Sequence, residues 1–133
     1  MVLDASAIVA IFREEAGYQR LENKIDEADS ILVGTPRLVE TAIVLARLSG
    51  RDQRATLEAY LRRIDAKVVI FTEDHYGVAG EAYIRFGREY NSKANLNYGD
   101  CLSYAVANVA REPLLFVGED FTHTDIGIVS GII

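Results

Sequence analysis

Four short apolar runs, each separated from the next by stretches of helix length, limit what this chain can fold into. They are MVL at 1–3, SILVG at 30–34, KVVIF at 67–71 and PLLFVG at 113–118. Strands that are apolar along their length, with no polar alternation, are buried on both faces, which is the mark of a parallel sheet covered by helices. The intervening stretches have helical spacing. Ala7, Ile8, Val9, Ile11 and Phe12 form one buried face, and after a break at Gly17 come Tyr18, Leu21, Ile25 and Ala28. Residues 35–50 begin with Thr35, which can cap, and Pro36, which suits the first helical position, and they end at Gly50. Residues 51–65 carry Leu57, Leu61 and Ile64 inward, and Thr72 caps a helix over 73–90 with Val78, Ala79, Ala82, Tyr83 and Phe86 on one face. Gly77 and Gly80 each weaken that helix by about 1 kcal/mol relative to Ala, which close packing against a neighbour would explain. A polar loop at 91–99, a helix at 100–112, a loop at 119–127 and a short terminal segment at 128–133 complete the chain. The expected class is α/β, with a central, mainly parallel sheet flanked by helices.

The length of 133 residues predicts a single domain over 1–133 with a sizeable core. No apolar stretch is long enough to cross a bilayer, and no basic start leads into an apolar signal segment. A single cysteine, Cys101, leaves no internal disulfide framework and fits a reducing cytoplasm. The net charge of −6 argues against a general nucleic-acid binder, unless the acids are concentrated in one pocket.

Their placement favours the pocket. Ligands of an open parallel sheet bind beyond the carboxyl ends of its strands. Asp4 ends the first strand, Asp120 follows the last, Asp100 opens the helix feeding that last strand, and Glu40 lies about one turn into the helix after the second. Each has an ordinary structural reading when taken singly. Asp4 is a good N-cap, Asp100 gains from a helix dipole, Glu40 has Arg37 three residues before it for a surface ion pair, and Asp120 and Asp125 suit a turn. Jointly the readings fail, because two carboxylates about 4 Å apart repel by about 4 kcal/mol at an effective dielectric near 20. Four together need protonation or a cation, and no lysine neighbours any of them in sequence. A divalent metal shared by Asp4 and Asp100 is the economical answer, and oxygen ligands select Mg²⁺ or Mn²⁺.

Four blocks, VLDASAIVAIF at 2–12, PRLVETAIVL at 36–45, LNYGDCLSYAVA at 96–107 and PLLFVGEDFTHTDI at 113–126, resemble the PIN-domain ribonucleases. The resemblance is strongest to the VapC-type toxins of toxin–antitoxin pairs and spans essentially the whole chain. It implies a PIN-like three-layer sandwich, an acidic Mg²⁺-dependent site (Mn²⁺ as a substitute) and an RNA substrate. It further implies a small VapB-type antitoxin partner and a homodimer. Asp4, Glu40, Asp100 and Asp120 match the family's acidic quartet, with Asp4 and Asp100 as metal ligands. Ser6 matches the small hydroxyl residue beside the first acid, and Asp125 a frequent further acid.

The chemistry so implied is hydrolysis of an RNA phosphodiester by a metal-activated water, leaving 5′-phosphate and 3′-hydroxyl ends. Arg13, Arg47, Arg51, Arg54 and Lys93 are the candidate phosphate contacts at the pocket rim, and Tyr98 is a candidate base-stacking platform, whereas Phe121 reads as core. Two other classes compete. A catalytically silent PIN-like interaction module would keep the fold without binding metal. A receiver-type phosphoacceptor domain needs paired acids after the first strand and a lysine after a late one, and neither is present. Ser6, two residues after Asp4, excludes a D-x-D phosphatase.

Overall fold

The computed structural model describes residues 1–90 and 93–131; residues 91 and 92 of the expected polar loop and 132 and 133 of the expected terminal segment lie outside the described residues. The strands are β1 Val2–Leu3, β2 Ile31–Gly34, β3 Ala66–Val69 and β4 Leu114–Leu115. All pair in parallel in the order β3-β2-β1-β4. The helices are α1 Ala5–Phe12, α2 Tyr18–Glu27, α3 Thr35–Ser49, α4 Arg54–Arg63, α5 Glu73–Phe86 and α6 Tyr98–Ala110.

The period-two alternation of strand side chains divides the core into two layers. Leu3 and Leu115 point to the side where Ala7, Ile8, Leu21, Leu45, Leu57 and Leu61 of α1 to α4 pack. Val2 and Leu114 point to the other side, against Ala79, Ala82 and Phe86 of α5 and Cys101, Leu102 and Ala105 of α6. Each fully buried Leu or Val side chain contributes about 1.5–3 kcal/mol. The expected three-layer architecture is the observed one. β1, in the middle of the sheet between β2 and β4, carries Asp4 at its carboxyl end, deep between the layers.

Several element ends differ from the sequence reading. β3 starts at Ala66 and stops at Val69, because register pairing ends where Gly34 meets Val69. α4 is shorter than residues 51–65: Asp52 accepts from the Arg54 backbone N–H at 2.9 Å, and Asp65 is left-handed at φ 53°. Thr35 lies inside α3 with Gly34 as N-cap, while Gly50 closes the helix in the left-handed conformation expected of it (φ 75°). Thr72 does cap α5, with His75 accepting from the Thr72 backbone N–H at 3.0 Å and stacking on Phe71. Gly77 and Gly80 do not pack against another element of this chain among the described residues. Both are exposed, and a Cβ on either would meet nothing within 4 Å, because α5 faces the core through Ala79 and Ala82 instead.

Close packing occurs at Gly34. An added Cβ there would stand 2.7 Å from Cγ2 of Val106, a β-branched side chain buried in α6. Gly34→Ala is expected to cost about 1–3 kcal/mol as an overpacked site. The expected readout is a lower urea midpoint at unchanged slope, and an unaltered midpoint would show that α6 yields freely.

Candidate active site

The carboxyl edge of the sheet collects its polar side chains from the starts of three helices and the turn after β4. Asp4 leaves β1 extended (φ −79°, ψ 155°), its backbone N–H donating to the Leu115 carbonyl at 2.9 Å. Its Oδ2 caps α1, accepting from the Ser6 backbone N–H at 3.0 Å and the Ser6 hydroxyl at 2.6 Å. The Ser6 oxygen also accepts from the Val117 backbone N–H at 3.0 Å, which ties this corner to the end of β4. Oδ1 accepts from the Ser103 hydroxyl at 2.5 Å and from Arg37 Nη2 at 2.7 Å. An ionised carboxylate has about four acceptor sites, so Asp4 is saturated.

Arg37 supplies the compensating charge that the sequence reading assigned to a metal. It lies in the first turn of α3, and its side chain is only 6% exposed. One guanidinium nitrogen pairs with Asp4 and the other with Glu40, one helical turn along, whose side chain is 47% exposed. The Arg37–Glu40 pair anticipated from the i,i+3 spacing is present, but its cation is buried. Among the described residues the Arg37 Nε–H has no hydrogen-bond partner. Burial pushes the Asp4 carboxyl upward, but Arg37, Ser103 and Ser6 outweigh it and hold the group below the usual aspartate range. Burial likewise disfavours the Arg37 charge, and Asp4 more than restores it.

α6 brings Asp100 to the same place through a reciprocal cap. Asn97 Oδ1 accepts from the Asp100 backbone N–H at 2.8 Å, and Asp100 Oδ2 accepts from the Asn97 backbone N–H at 2.9 Å. Burial is the main cause that pushes Asp100 up to about 6, with the charges of Asp4 and Asp120 adding to it and the Asn97 N–H and Arg37 opposing. Asp120, in the exposed turn after β4, is near enough for its charge to be felt at Asp100. Gly99 leaves the space in which the clamp sits, since a Cβ there would collide with Arg37 Nη1 and stand 2.9 Å from Glu40 Oε2.

The structure thus brings Asp4, Glu40, Asp100 and Asp120 into one neighbourhood, with Ser6 among them. Asp125 makes its contacts elsewhere, accepting from Tyr104 Oη at 2.5 Å and Arg85 at 2.8 Å. Sequence reasoning missed Ser103, which a position one turn after Asp100 on the same helix face would have flagged. It also missed the burial of Arg37, for which the sequence holds no signal beyond proximity to Glu40.

Four of the five cations expected at the rim are not where sequence order suggested. Arg13 stands at the end of α1 opposite Asp4, and Arg47, Arg51 and Arg54 cluster at the far end of α3, about 15–20 Å along that helix from Arg37. Arg13 and Arg54 are also paired with Glu15 and Asp52. Helix length carries these charges to the opposite edge of the sheet. Closer to Asp100 are Tyr98, 78% exposed, and Arg88, which shares a groove with Tyr98 and Asn97. Phe121 is core, packed edge-on against Phe116. Among the described residues, no three His, Cys, Asp or Glu side chains are grouped so as to hold a metal ion as they stand.

The donor set nonetheless fits a hard divalent cation in chemistry. All the convergent ligands are oxygens, one guanidinium leaves the four acids strongly anionic, and Asp100 is driven toward protonation by charge that a cation would offset. The fit has one condition, that Arg37 yields its place on Asp4.

Comparison with known proteins agrees with this architecture. The PIN domain profile matches residues 1–127. Ribonuclease VapC30 of Mycobacterium tuberculosis is 40% identical over 131 residues, covering 98% of this chain and 98% of that protein. Ribonuclease VapC of Mycolicibacterium smegmatis is 39% identical over 129 residues, covering 97% and 99% respectively. Among solved structures, VapC20 of M. tuberculosis, a sarcin-ricin loop cleaving toxin, superimposes with a TM-score of 0.75 at 20% identity, over 96% of this chain and 97% of that one. A chain of VapBC2 from Rickettsia felis, bound to promoter DNA, superimposes with a TM-score of 0.72 at 18% identity, over 96% and 94%. At such identities the superpositions speak for the fold, while the full-length sequence matches speak for descent. This chain belongs to the PIN-domain family, and within it stands with the VapC proteins.

Proposed function

We propose that this chain is the ribonuclease toxin of a VapBC-type toxin–antitoxin pair and hydrolyses RNA phosphodiester bonds with Mg²⁺, for which Mn²⁺ can substitute. The observation that carries the reading is the convergence of four carboxylates from four segments, among them a buried Asp100 pushed up to about 6. The full-length relatives named ribonucleases support it. Asp4 and Asp100 would hold the cation, which when bound polarises a phosphoryl oxygen and lowers the pKa of a ligated water. Glu40, half-exposed, and Asp120, exposed, would orient water at the mouth of the site, and one of the two would accept the proton that the attacking water loses. Attack in line on phosphorus breaks the bond to the 3′-oxygen and leaves a 5′-phosphate. Tyr98 offers an aromatic face for one unpaired base beside Asp100, and Arg88 a cation for an adjacent phosphate.

A VapB-type antitoxin as partner and a homodimer as assembly belong to the same proposal, as does a cytoplasmic location. Among the described residues no helix is long and apolar enough to cross a membrane. The exposed side of α5, with Tyr76 and Ile84 outward, is the surface for the second copy. Light scattering at high concentration should report twice the mass of one chain, and a monomer would remove the dimer.

One observation favours a second reading. Arg37 on Asp4 is the contact a catalytically silent PIN-like module would carry. Incubation with total RNA, with and without a chelator, separates the two. Asp4→Asn and Asp100→Asn, which keep their helix caps, should each lower metal-dependent cleavage by at least about a hundredfold, more than loss of an outer-shell partner typically costs. Full activity in either variant would overturn the assignment.

The raised Asp100 also has a sign for stability. A carboxyl bound to its proton more tightly in the folded than in the unfolded chain costs nothing below its ordinary value of 3.8, and its ionisation destabilises as pH rises through about 6. In chelator-treated protein, Asp100→Asn should therefore melt above the parent at about pH 7.5, and the gap should close toward about pH 4. Equal melting at both pH values would mean that Asp100 ionises without penalty.

A further inference from the structure

We propose that Arg37 is a built-in counter-ion that competes with the divalent cation for Asp4, so that metal enters only as the guanidinium swings from Asp4 toward Glu40. The proposal rests on the metal-dependent reading above and adds to it a residue that sets how tightly the metal is held.

Three observations carry it. Asp4 has no acceptor site to spare: Ser6 supplies two donors to Oδ2, and Ser103 and Arg37 supply one each to Oδ1. Of these four donors only Arg37 brings a full positive charge, and it occupies the space a cation on Oδ1 would need. The Arg37 side chain is only 6% exposed, yet its Nε–H meets no acceptor among the described residues, so the present pose leaves one of its polar groups unmet. The guanidinium also has somewhere to go. Glu40, its second partner, lies one turn along the same helix with its side chain 47% exposed, and the absence of a Cβ at Gly99 gives Arg37 Nη1 the place beside Glu40 that it already holds. Moving outward, Arg37 keeps Glu40, gives up Asp4 and frees Oδ1 beside Asp100.

The exchange keeps the buried Asp4 charge compensated throughout. A permanently vacant acidic pocket would hold Asp4 and Asp100 ionised together without a counter-charge, whereas this pocket always contains one cation or the other. In consequence the chain folds without metal, and its metal affinity is lower than the same carboxylates would give without Arg37.

The test measures metal binding directly. Mn²⁺ affinity is followed by electron paramagnetic resonance for the parent, Arg37→Gln and Arg37→Lys, together with the rise in melting temperature on adding Mg²⁺. A unit charge a few ångströms from a divalent ion repels it strongly enough that its removal should tighten binding by about tenfold or more. Arg37→Gln should accordingly bind Mn²⁺ more tightly and gain more thermal stability from Mg²⁺ than the parent, with Arg37→Lys between the two. Equal or weaker binding by Arg37→Gln, with the parent binding normally, would overturn the competition and leave the metal-dependent reading standing. Absence of Mn²⁺ binding in parent and variants alike would overturn both. Should Arg37→Gln not fold, the parent still answers. The Arg37 Nε–H signal in nitrogen-15 spectra should shift as Mg²⁺ is added, and a signal that stays fixed while the Asp4 amide moves would refute the swing.

Discussion

The ion pair between Asp4 and Arg37 is the contact on which the rest of the site depends. Both side chains are almost wholly removed from water, and the desolvation of each ion costs several kcal/mol. Coulomb attraction alone does not reliably offset that. The balance here comes from complete hydrogen bonding of the carboxylate by Ser6, Ser103 and Arg37, which leaves no lone pair facing an apolar wall. Loss of either partner would strand the other as a buried, uncompensated charge, an effect of about 3–5 kcal/mol. The same contact locks α3 to the end of β1, and therefore fixes where Glu40 stands.

The parallel sheet explains why acids distant in sequence arrive together. Every strand ends at the same edge, so the residues that begin the following helices face a common crevice. Helix starts call for side-chain acceptors, and Asp4 and Asp100 meet that demand at α1 and α6. Capping and ligand binding are therefore not alternatives at these positions. The capping role holds for Asp4 and Asp100, and both carboxylates stand near Arg37 at the same crevice.

Much of this was legible from the chain. The apolar runs marked four parallel strands, although burial on both faces fails for the edge strand β3, whose Lys67 and Val68 are exposed, and Gly50 marked a helix end because few other residues take a left-handed backbone without strain. The quartet was readable because strand ends and helix starts fix position to within about a turn. What escaped was lateral: which side chain from a neighbouring helix fills the gap. Arg37 looked like half of a surface pair because sequence gives its spacing to Glu40 but not the depth of α3. The basic residues Arg13, Arg47, Arg51 and Arg54 were misplaced for the complementary reason, since eight to fifteen residues of helix carry a charge across the whole thickness of the sheet.

The double duty of the capping acids bears on how such a chain would drift over generations. Asp4 secures the start of α1 and compensates the buried Arg37 whether or not any phosphodiester is ever cut, so selection for folding alone would retain it, whereas an ionised Asp100 costs stability near neutral pH and is kept by no such selection. Asp120, exposed in a turn, has no comparable share in the architecture. A descendant that had abandoned chemistry would therefore lose its solvent-facing acid early and keep Asp4 longest. Retention of the outermost carboxylate is for that reason a stronger sign of living catalysis than retention of the deepest.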